Sequence, residues 1–528
     1  MASLLGGVGL FLIGMILLTE GLKAAAGDRL RVLLVRFTGG PIRSVAAGAA
    51  ITTLVQSSSA TTLTTIGFVS AGMLTFPQAV GVVFGANLGT TATGWIVAGL
   101  GFKLSILPIA LPLVGIGALL RLLGRGWLSD AGLAFAGFGL LFVGIDTMQV
   151  GMAGLAERLD PGSLPGSGLA SRLILLAAGA LMTVLMQSSS AAVATTLAAL
   201  NAGTIDLSQA GTLVIGQNIG TTVTAALAAI GASVPARRTA LAHILFNLLT
   251  GLIAFGLLPF LMPLMQWVSG ATGDGSEAMT IAAFHTAFNL LGVLIFLPAI
   301  EPFSRLVMRL IPDRGPTLTR YLDRSVTRLP SVAVEAAHRS LQSVLGAILE
   351  AVRVHRPAPV AVTAALDEIR SFLADVRTES ESAEAHARHV AALHTVDHLA
   401  QLAQMLQKPP AAVLMANPLL TQQRHEFERV VAVAEAAVRE LHGARASDAA
   451  EAAANLRDLA RHDRRQVIEQ GASGAVPLDQ AVALLDLMRW FESAAHHLQR
   501  SVHYLCSGAA VENGVDSTSK PADEAVDR

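Results

Sequence analysis

LVQSSSATTLTTIGFVSAG at residues 54–72 returns as LMQSSSAAVATTLAALNAG at residues 185–203. Each copy sets a Gln-Ser-Ser-Ser cluster midway along an apolar stretch, about 44–72 in the first case and about 173–203 in the second. Downstream, GANLGTTATG at 85–94 is repeated as GQNIGTTVTA at 216–225; upstream, FLIGMILLTEGL at 11–22 is echoed by LFVGIDTMQVGM at 141–152. Gln56 to Gln187 and Asn87 to Asn218 each span 131 residues, and Gly14 to Gly144 spans 130. Three landmarks holding nearly one offset mark an internal duplication.

The surroundings of these segments decide the solvent. Residues 44–102, 173–205, 207–236 and 239–273 contain no Asp, Glu, Lys or Arg. A water-soluble surface cannot be built from so much uncharged chain. A bilayer core about 30 Å thick asks for about 20 apolar residues per helix, and the chain supplies them repeatedly. Crossings are expected at about 2–22, 79–99, 104–120, 133–157, 208–230, 238–262 and 282–303. The two interrupted stretches are expected to enter and leave on one side, as re-entrant hairpins. Loops 23–43, 121–132 and 231–239 then share a face carrying nine basic residues, whereas Lys103, Arg158 and Arg172 lie opposite. By the positive-inside rule the basic face is cytoplasmic, with the N-terminus outside. Three spans and a hairpin per copy give an odd number of crossings, so the copies face opposite ways. The fold class expected is all-α, polytopic, with inverted repeats. The opening MASLLGGVGLFLIGMILL lacks a basic leader region and reads as the first span. The single Cys506 excludes an internal disulfide, and a formal net charge of −1 gives no sign of a nucleic-acid partner.

After residue 311 the composition changes. Twelve of the 14 histidines lie there, behind a linker marked by Pro312, Pro316 and Pro330. Amphipathic patterns predict helices at about 331–355, 360–377, 383–407, 417–443, 447–470 and 478–505, broken by Pro357, Pro359, Pro409 and Pro410. The polar ending from 507 to 528 is expected to be disordered.

Gln-Ser-Ser-Ser at mid-membrane depth is costly unless its groups find partners, and non-helical backbone there must be covered by protein or line a wet cavity. Two facing tips, Gln56, Ser57, Ser58 and Ser59 against Gln187, Ser188, Ser189 and Ser190, meet that condition. They supply hydroxyls, amides and helix N-terminal N–H groups that suit an oxyanion, and carbonyl and hydroxyl oxygens that suit a hard monovalent cation. No Lys or Arg stands in these segments, so anion binding would depend on the cation bound beside it. Asn87, Thr90 and Thr91, with Asn218, Thr221 and Thr222, would complete ion shells or brace the hairpins. Gly85, Gly89, Gly216 and Gly220 permit close backbone approach or local unwinding. Ser, Thr and Gly also serve as common glue between membrane helices, and the duplication weighs against that reading here. His243 with Asn247, and His285 with Asn289, each share a helix face; interhelical hydrogen bonding is expected of them, with metal ligation or proton movement as the alternative. No Gly-x-Ser-x-Gly elbow or glycine loop with lysine is present, so no enzyme is expected.

Paired QSSS motifs, each followed by G-x-N-x-G-T-T, resemble the type II sodium-dependent phosphate cotransporters of bacteria and animals. The resemblance covers about 1–310: repeat one about 1–122, repeat two about 133–262 and an extra span at about 282–303. It implies symport of inorganic phosphate with sodium in a multi-pass protein of the cell (inner) membrane. It places both ions at Gln56–Ser59 and Gln187–Ser190, with sodium as coupling ion and no other metal or cofactor. Another oxyanion such as sulfate or arsenate, or a phosphate sensor signalling through the tail, are the alternatives. LHTVDHLAQLAQ at 393–404 and LMRWFESAAHHLQRSVHYL at 487–505 are similar to PhoU-like modules. That likeness implies a cytoplasmic regulatory domain over 331–506 beyond a linker at 311–330. A homo-oligomer or a regulatory partner of the tail stays open. Asp397, Glu492, His496 and His497 depart from the acidic spacing of PhoU metal sites, and the histidines are read as a solvated helix face.

Overall fold

The structure, a computed structural model, describes residues 2–26, 38–101, 107–156, 168–230, 232–271, 275–313, 317–377, 383–410, 415, 417–439 and 443–510. It separates into two compact units, the first of residues 1–69 and 73–313, the second of residues 70–72 and 314–528.

The first unit is helical throughout its described elements. Repeat one contains α1 (Ala2–Ala26), α2 (Pro41–Val55), α3 (Ser58–Ser70), α4 (Phe76–Ile96, prolonged by a π-helical turn Val97–Gly101) and α5 (Leu107–Leu123). Repeat two follows in the same order with α6 (Trp127–Ala156), α7 (Leu169–Met186), α8 (Ser189–Asn201), α9 (Leu207–Ala228) and α10 (Val234–Ala271). Then come α11 (Glu277–Phe296) and α12 (Ile300–Leu310). Six described helices are long and apolar enough to cross a bilayer, namely α1, α4, α6, α7, α10 and α11. Large apolar side chains such as Leu54, Leu123, Phe260 and Trp267 stand exposed, which suits lipid and not water. This is a multi-pass, all-α membrane protein.

Local chemistry is repeated along with the helices. Thr75 and Gln78 form a capping box at the start of α4, and Asp206 and Gln209 form the same box at the start of α9. Gly72 and Gly203, at φ of 71° and 69°, end the preceding helices in the left-handed region that glycine tolerates. The first helices of the two repeats pack directly on one another. Gly7 meets Met148, Gly14 meets Leu141 and Gly21 meets Ala134, while Gly137 meets Leu18, Gly144 meets Phe11 and Gly151 meets Leu4. Numbers rise along α1 as they fall along α6, so equivalent helices run antiparallel, as inverted repeats require. The glycines recur every seven residues and let backbones touch. Around this seam Phe11, Phe142, Ile145 and Met148 join Leu197, Val214, Phe284 and Phe288 in a buried core. A second cluster stacks Phe84 on Phe246 at 4.2 Å between ring centres and sets Phe303 at 5.7 Å.

Two expected boundaries move. The crossing placed at 238–262 continues to Ala271 through Pro259 and Pro263, giving 38 residues, about 57 Å at 1.5 Å per residue. Neighbouring helices and helix adjustments compensate for prolines in membrane spans, so these two do not end it. The crossing placed at 282–303 is instead two helices. α11 stops at Phe296 before Pro298, and α12 follows with Ile300, Phe303 and Val307 buried while Glu301 is exposed.

The second unit carries a 3-10 turn (Arg324–Arg328), α13 (Pro330–Arg353), α14 (Val360–Ala374), α15 (Ala383–Met405), a short 3-10 turn (Pro418–Leu420), α16 (Thr421–Arg439), α17 (Gly443–Ala472) and α18 (Leu478–Ala510). These match the amphipathic patterns, except that α18 extends into the ending expected to be disordered; residues 511–528 lie outside the described residues. α13, α14 and α15 pack together, as do α16, α17 and α18, and α15 joins the groups through α18.

A buried polar centre braces the first group. Arg388 on α15 donates to Glu335 on α13 at 2.6 Å, and Arg339 donates to the same carboxylate at 2.8 Å. Burial alone would raise the Glu335 carboxyl; Arg388, then Arg339 and His338, outweigh it and hold it low. Burial, then Arg388, pushes His338 down to about 4 from 6.5. Both folded-state values are depressed, so both groups stabilise the fold above their unfolded values and lose that contribution on acidification. We expect thermal unfolding of this unit, followed by circular dichroism in detergent, to move to lower temperature from pH 6.5 downward. Full protonation of His338 would remove up to about 3 kcal/mol at 1.36 kcal/mol per unit. His338→Gln should flatten the profile between pH 6.5 and 4. An unchanged profile in the variant would exclude His338 as the source.

Candidate functional site

The two QSSS segments break their helices in the same way. Gln56 and Gln187 occupy left-handed backbone conformations at φ of 56° and 51°. Only one other described non-glycine residue, His355, has positive φ. Such geometry in a non-glycine residue is costly and must be held by its surroundings. Each glutamine is held locally: Gln56 Nε2 donates to the Thr53 carbonyl at 2.5 Å and Gln187 Nε2 to the Val184 carbonyl at 2.6 Å. The next residue, Ser57 or Ser188, accepts from the third amide beyond it at 3.2 Å in both copies and so starts the following helix.

The chain turns back at each break. Thr52 on α2 donates to Thr61 on α3 at 2.9 Å across it. In repeat two, Thr183 on α7 donates to the Gln217 carbonyl at 3.1 Å, and Gln217 Nε2 donates to Ala192 and Thr196 on α8. Arms of 15 and 13 residues in repeat one reach about 20 Å at 1.5 Å per residue, too short to cross. The repeat-one segment is therefore a hairpin; in repeat two α7 has 18 residues, a crossing length, and the turn back there rests on the bonds that tie Gln217 to α7 and α8.

The hairpins lie against α4 and α9, and the Gly-x-Asn-x-Gly-Thr-Thr segments explain how. A Cβ on Gly85 would stand 2.0 Å from the Val45 carbonyl oxygen, and one on Gly216 would stand 2.0 Å from that of Leu176. Gly89 and Gly220 repeat the approach against Ala49 and Ala180 at 2.5 and 2.6 Å. Of the two roles open to these glycines, close approach is the one adopted. α4 and α9 are not unwound there, and the only departure in α4 is the later π-helical turn.

That approach brings the tips together at one residue. Thr93 Oγ1 donates to Gln56 Oε1 at 2.9 Å and lies 3.2 Å from Ser190 Oγ. Thr93 has one hydroxyl proton and spends it on Gln56, so Ser190 donates to Thr93. Gln56 of one hairpin and Ser190 of the other are thereby two bonds apart. A cavity of about 60 Å³ is lined by Ser58, Ser59, Thr62, Leu63 and Ile66 of α3, by Thr221, Thr224 and Ala225 of α9, and by His243 of α10; the second hairpin adds no residue to this lining. A water needs about 10–15 Å³ on the same measure, so the space holds several waters or one small polyatomic ion. Ser58 and Ser59 open α3, where first-turn amides have no intrahelical acceptor and the helix end is partly positive.

The other expected residues are placed less directly. Gln187 is exposed, and Ser188 and Ser189 are partly buried with Ser188 spent on capping α8, so this tip reaches across only through Ser190. Thr90, Thr91 and Thr222 donate to carbonyls of their own helices at 2.9, 2.7 and 2.7 Å, which leaves their lone pairs as acceptors. Asn87 donates to the Val83 carbonyl at 3.0 Å. Thr221 donates to the Asn218 carbonyl at 2.6 Å and accepts from Asn247 at 3.0 Å, while Asn218 Nδ2 is buried without a partner. His243 Nε2 pairs with Asn247 Nδ2 at 3.0 Å within α10, and Asn247 Nδ2 also donates to the Asn218 carbonyl and to Thr221 on α9, the interhelical bonding expected of this motif. The second His–Asn pair departs from that expectation: Asn289 Nδ2 donates to the His285 backbone carbonyl within α11 at 2.9 Å.

Comparison with known proteins follows the same repeat. The model of the family described as Na+/Pi-cotransporter matches residues 10–150 and 166–274, one segment over each copy. A Bacillus subtilis protein, described as uncharacterized protein YqeW, is 35% identical over 309 residues, 58% of this chain and 96% of the relative. The chain belongs to the Na+/Pi-cotransporter family. An Escherichia coli relative named putative inorganic phosphate export protein YjbB is 31% identical over 349 residues, 64% of this chain. The match spans 61% of that relative, less than two thirds of its length. The Mus musculus protein named sodium-dependent phosphate transport protein 2C is 40% identical over 98 residues, 18% of this chain and 16% of its own length. No solved structure matches the chain.

Within this Na+/Pi-cotransporter architecture, sequence reading missed Thr93, Thr224 and Gln217. Thr93 and Thr224 stand 131 residues apart inside the quoted repeats, so the offset that marked Asn87 and Asn218 also marks them. Gln217 has Ala86 as its counterpart, and nothing in the repeat singles it out.

Proposed function

We propose that the protein transports inorganic phosphate together with sodium through a site between the two hairpins. The observation that carries this is Thr93, bonded at once to Gln56 of one hairpin and Ser190 of the other; a cavity bearing Ser58 and Ser59 of the first hairpin with Thr221 and Thr224 supports it. Serine hydroxyls and first-turn amides donate to the anion's oxygens. Threonine, glutamine and backbone oxygens accept a hard cation. No lining side chain carries a permanent positive charge. Sodium therefore supplies the positive charge that phosphate needs, and each ion lowers the desolvation cost of the other. The names of the Escherichia coli and mouse relatives, which mention phosphate, support the choice of anion.

Symport direction follows the summed gradients, so an inward sodium gradient drives import. Because the Escherichia coli relative is named as an exporter, flux is to be followed both ways. Purified protein in liposomes should take up labelled phosphate with external sodium and at least tenfold less with choline. Gln56→Ala and Gln187→Ala should abolish uptake while retaining helicity. Uptake indifferent to sodium refutes the coupling, and uptake of labelled sulfate at the same rate refutes the choice of anion.

The basic loops favour a cell-membrane orientation with the second unit in the cytoplasm, where its PhoU-like sequence fits a regulatory role. A reporter fused after Arg528 that is active only outside the cytoplasm would overturn this orientation. Sodium-driven flux unaltered by truncation after Asp313 would overturn the regulatory role.

A further inference from the structure

Two helices of the second unit bring three imidazoles to one point. His398 projects from α15, and His496 and His497 project from α18. One ring nitrogen from each lies within 4.8 Å of the other two. The Nδ1 atoms of His398 and His497 stand 3.1 Å apart. Nitrogens bound to one tetrahedral zinc at about 2.0–2.1 Å stand about 3.4 Å from each other, close to the spacing already present. Adjacent residues on a helix diverge by about 100°. His496 and His497 nevertheless both face His398, with ring centres 5.8 and 5.4 Å from it.

The surroundings order the rings. Tyr504 stacks on His398 at 5.8 Å and on His394 at 4.7 Å, and Arg500 donates to the Tyr504 hydroxyl at 2.8 Å. Burial, then His497, His496 and Arg500, pushes His398 down to about 4, and burial with His496 lowers His497. The Asp397 carboxylate opposes both shifts and supplies nearby negative charge. His496 is exposed while the other two are half-buried, so the cluster is reachable from solvent.

We propose that His398, His496 and His497 form a binding site for a late first-row divalent ion, zinc foremost, with three imidazole nitrogens and water in the fourth position. Neutral nitrogen donors favour zinc, copper and nickel over magnesium and calcium. An ion held there would clip α15 to α18 and so join the two three-helix groups of the second unit. Nothing in this site draws on the hairpins, so it stands or falls apart from the transport reading.

The test uses the full-length protein in detergent, purified without a polyhistidine tag. Titration with cobalt(II) should develop the visible absorption of tetrahedral nitrogen coordination at one ion per chain, and zinc should displace it. His398→Ala should weaken binding at least about 100-fold, since even outer-shell losses cost 10–100-fold at metal sites. His496→Ala, at an exposed position, should do the same with little disturbance to the fold, checked by helicity and by an unchanged size-exclusion profile. Absence of binding by the unmodified protein, binding unchanged in His496→Ala, or equal binding of calcium would each overturn the proposal.

Discussion

Thr93→Val should lower phosphate transport at least about 100-fold, and Thr93→Ser should restore most of it. Valine matches threonine in shape but cannot bond, so the substitution removes the hydroxyl and little else. Gln56 Oε1 then loses its donor and Ser190 Oγ loses its acceptor. A buried polar group left without a partner costs about 1–3 kcal/mol; Ser190 is buried, whereas Gln56 is half-buried and loses less. The two losses at one site amount to the lower part of about 2–6 kcal/mol, and 1.4 kcal/mol is tenfold in an equilibrium constant. Thr147→Val is the control, because that hydroxyl bonds only its own helix at the Val143 carbonyl. Initial rates in liposomes, corrected for inserted protein, provide the measurement. Rates for Thr93→Val within twofold of the unmodified protein would remove Thr93 from the site.

Gly85→Ala and Gly216→Ala should each prevent assembly of a stable first unit. The added methyl would sit 2.0 Å from a carbonyl oxygen of the facing helix, where no flexible side chain can give way. Ordinary overpacking costs about 1–3 kcal/mol, and a backbone-to-backbone clash lies at or beyond the upper end. Total stability is only about 5–15 kcal/mol, so much of it would be lost. Gly9→Ala, with open space around its Cβ, should be neutral. Size-exclusion profiles and thermal stability in detergent distinguish the outcomes. A monodisperse Gly216→Ala protein with unaltered melting would contradict the close approach of α7 and α9.

These expectations separate what the sequence made legible from what it concealed. The hairpins were legible because a polar cluster inside an uncharged stretch has few physical resolutions in lipid, and its repetition removed chance. The glycines of α4 and α9 were visible as a pair of alternatives, approach or unwinding. Only three-dimensional placement against Val45 and Leu176 decides between them. The long α10 was cut short because a hydropathy window stops once a bilayer's length of apolar residues is filled, whereas the helix runs on through Pro263 with neighbours compensating for the missing donors. α12 was merged with its predecessor because hydropathy averaged over a window blurs Pro298 and the change to a two-faced pattern. The unequal roles of the tips were not legible. Symmetry of sequence predicts symmetry of contact, yet Ser190 bonds across while its counterpart Ser59 lines the cavity.

The glycine seam of α1 and α6 has a bearing on ancestry. Gly14 rests on Leu141, and its twin Gly144 rests on Phe11, itself the counterpart of Leu141. A contact that exchanges twins in this way is isologous, the form taken by interfaces of twofold homodimers. An unfused half carrying such a helix already owns both sides of the joint. Two copies inserted in opposite senses would assemble through it before any gene fusion made the arrangement permanent.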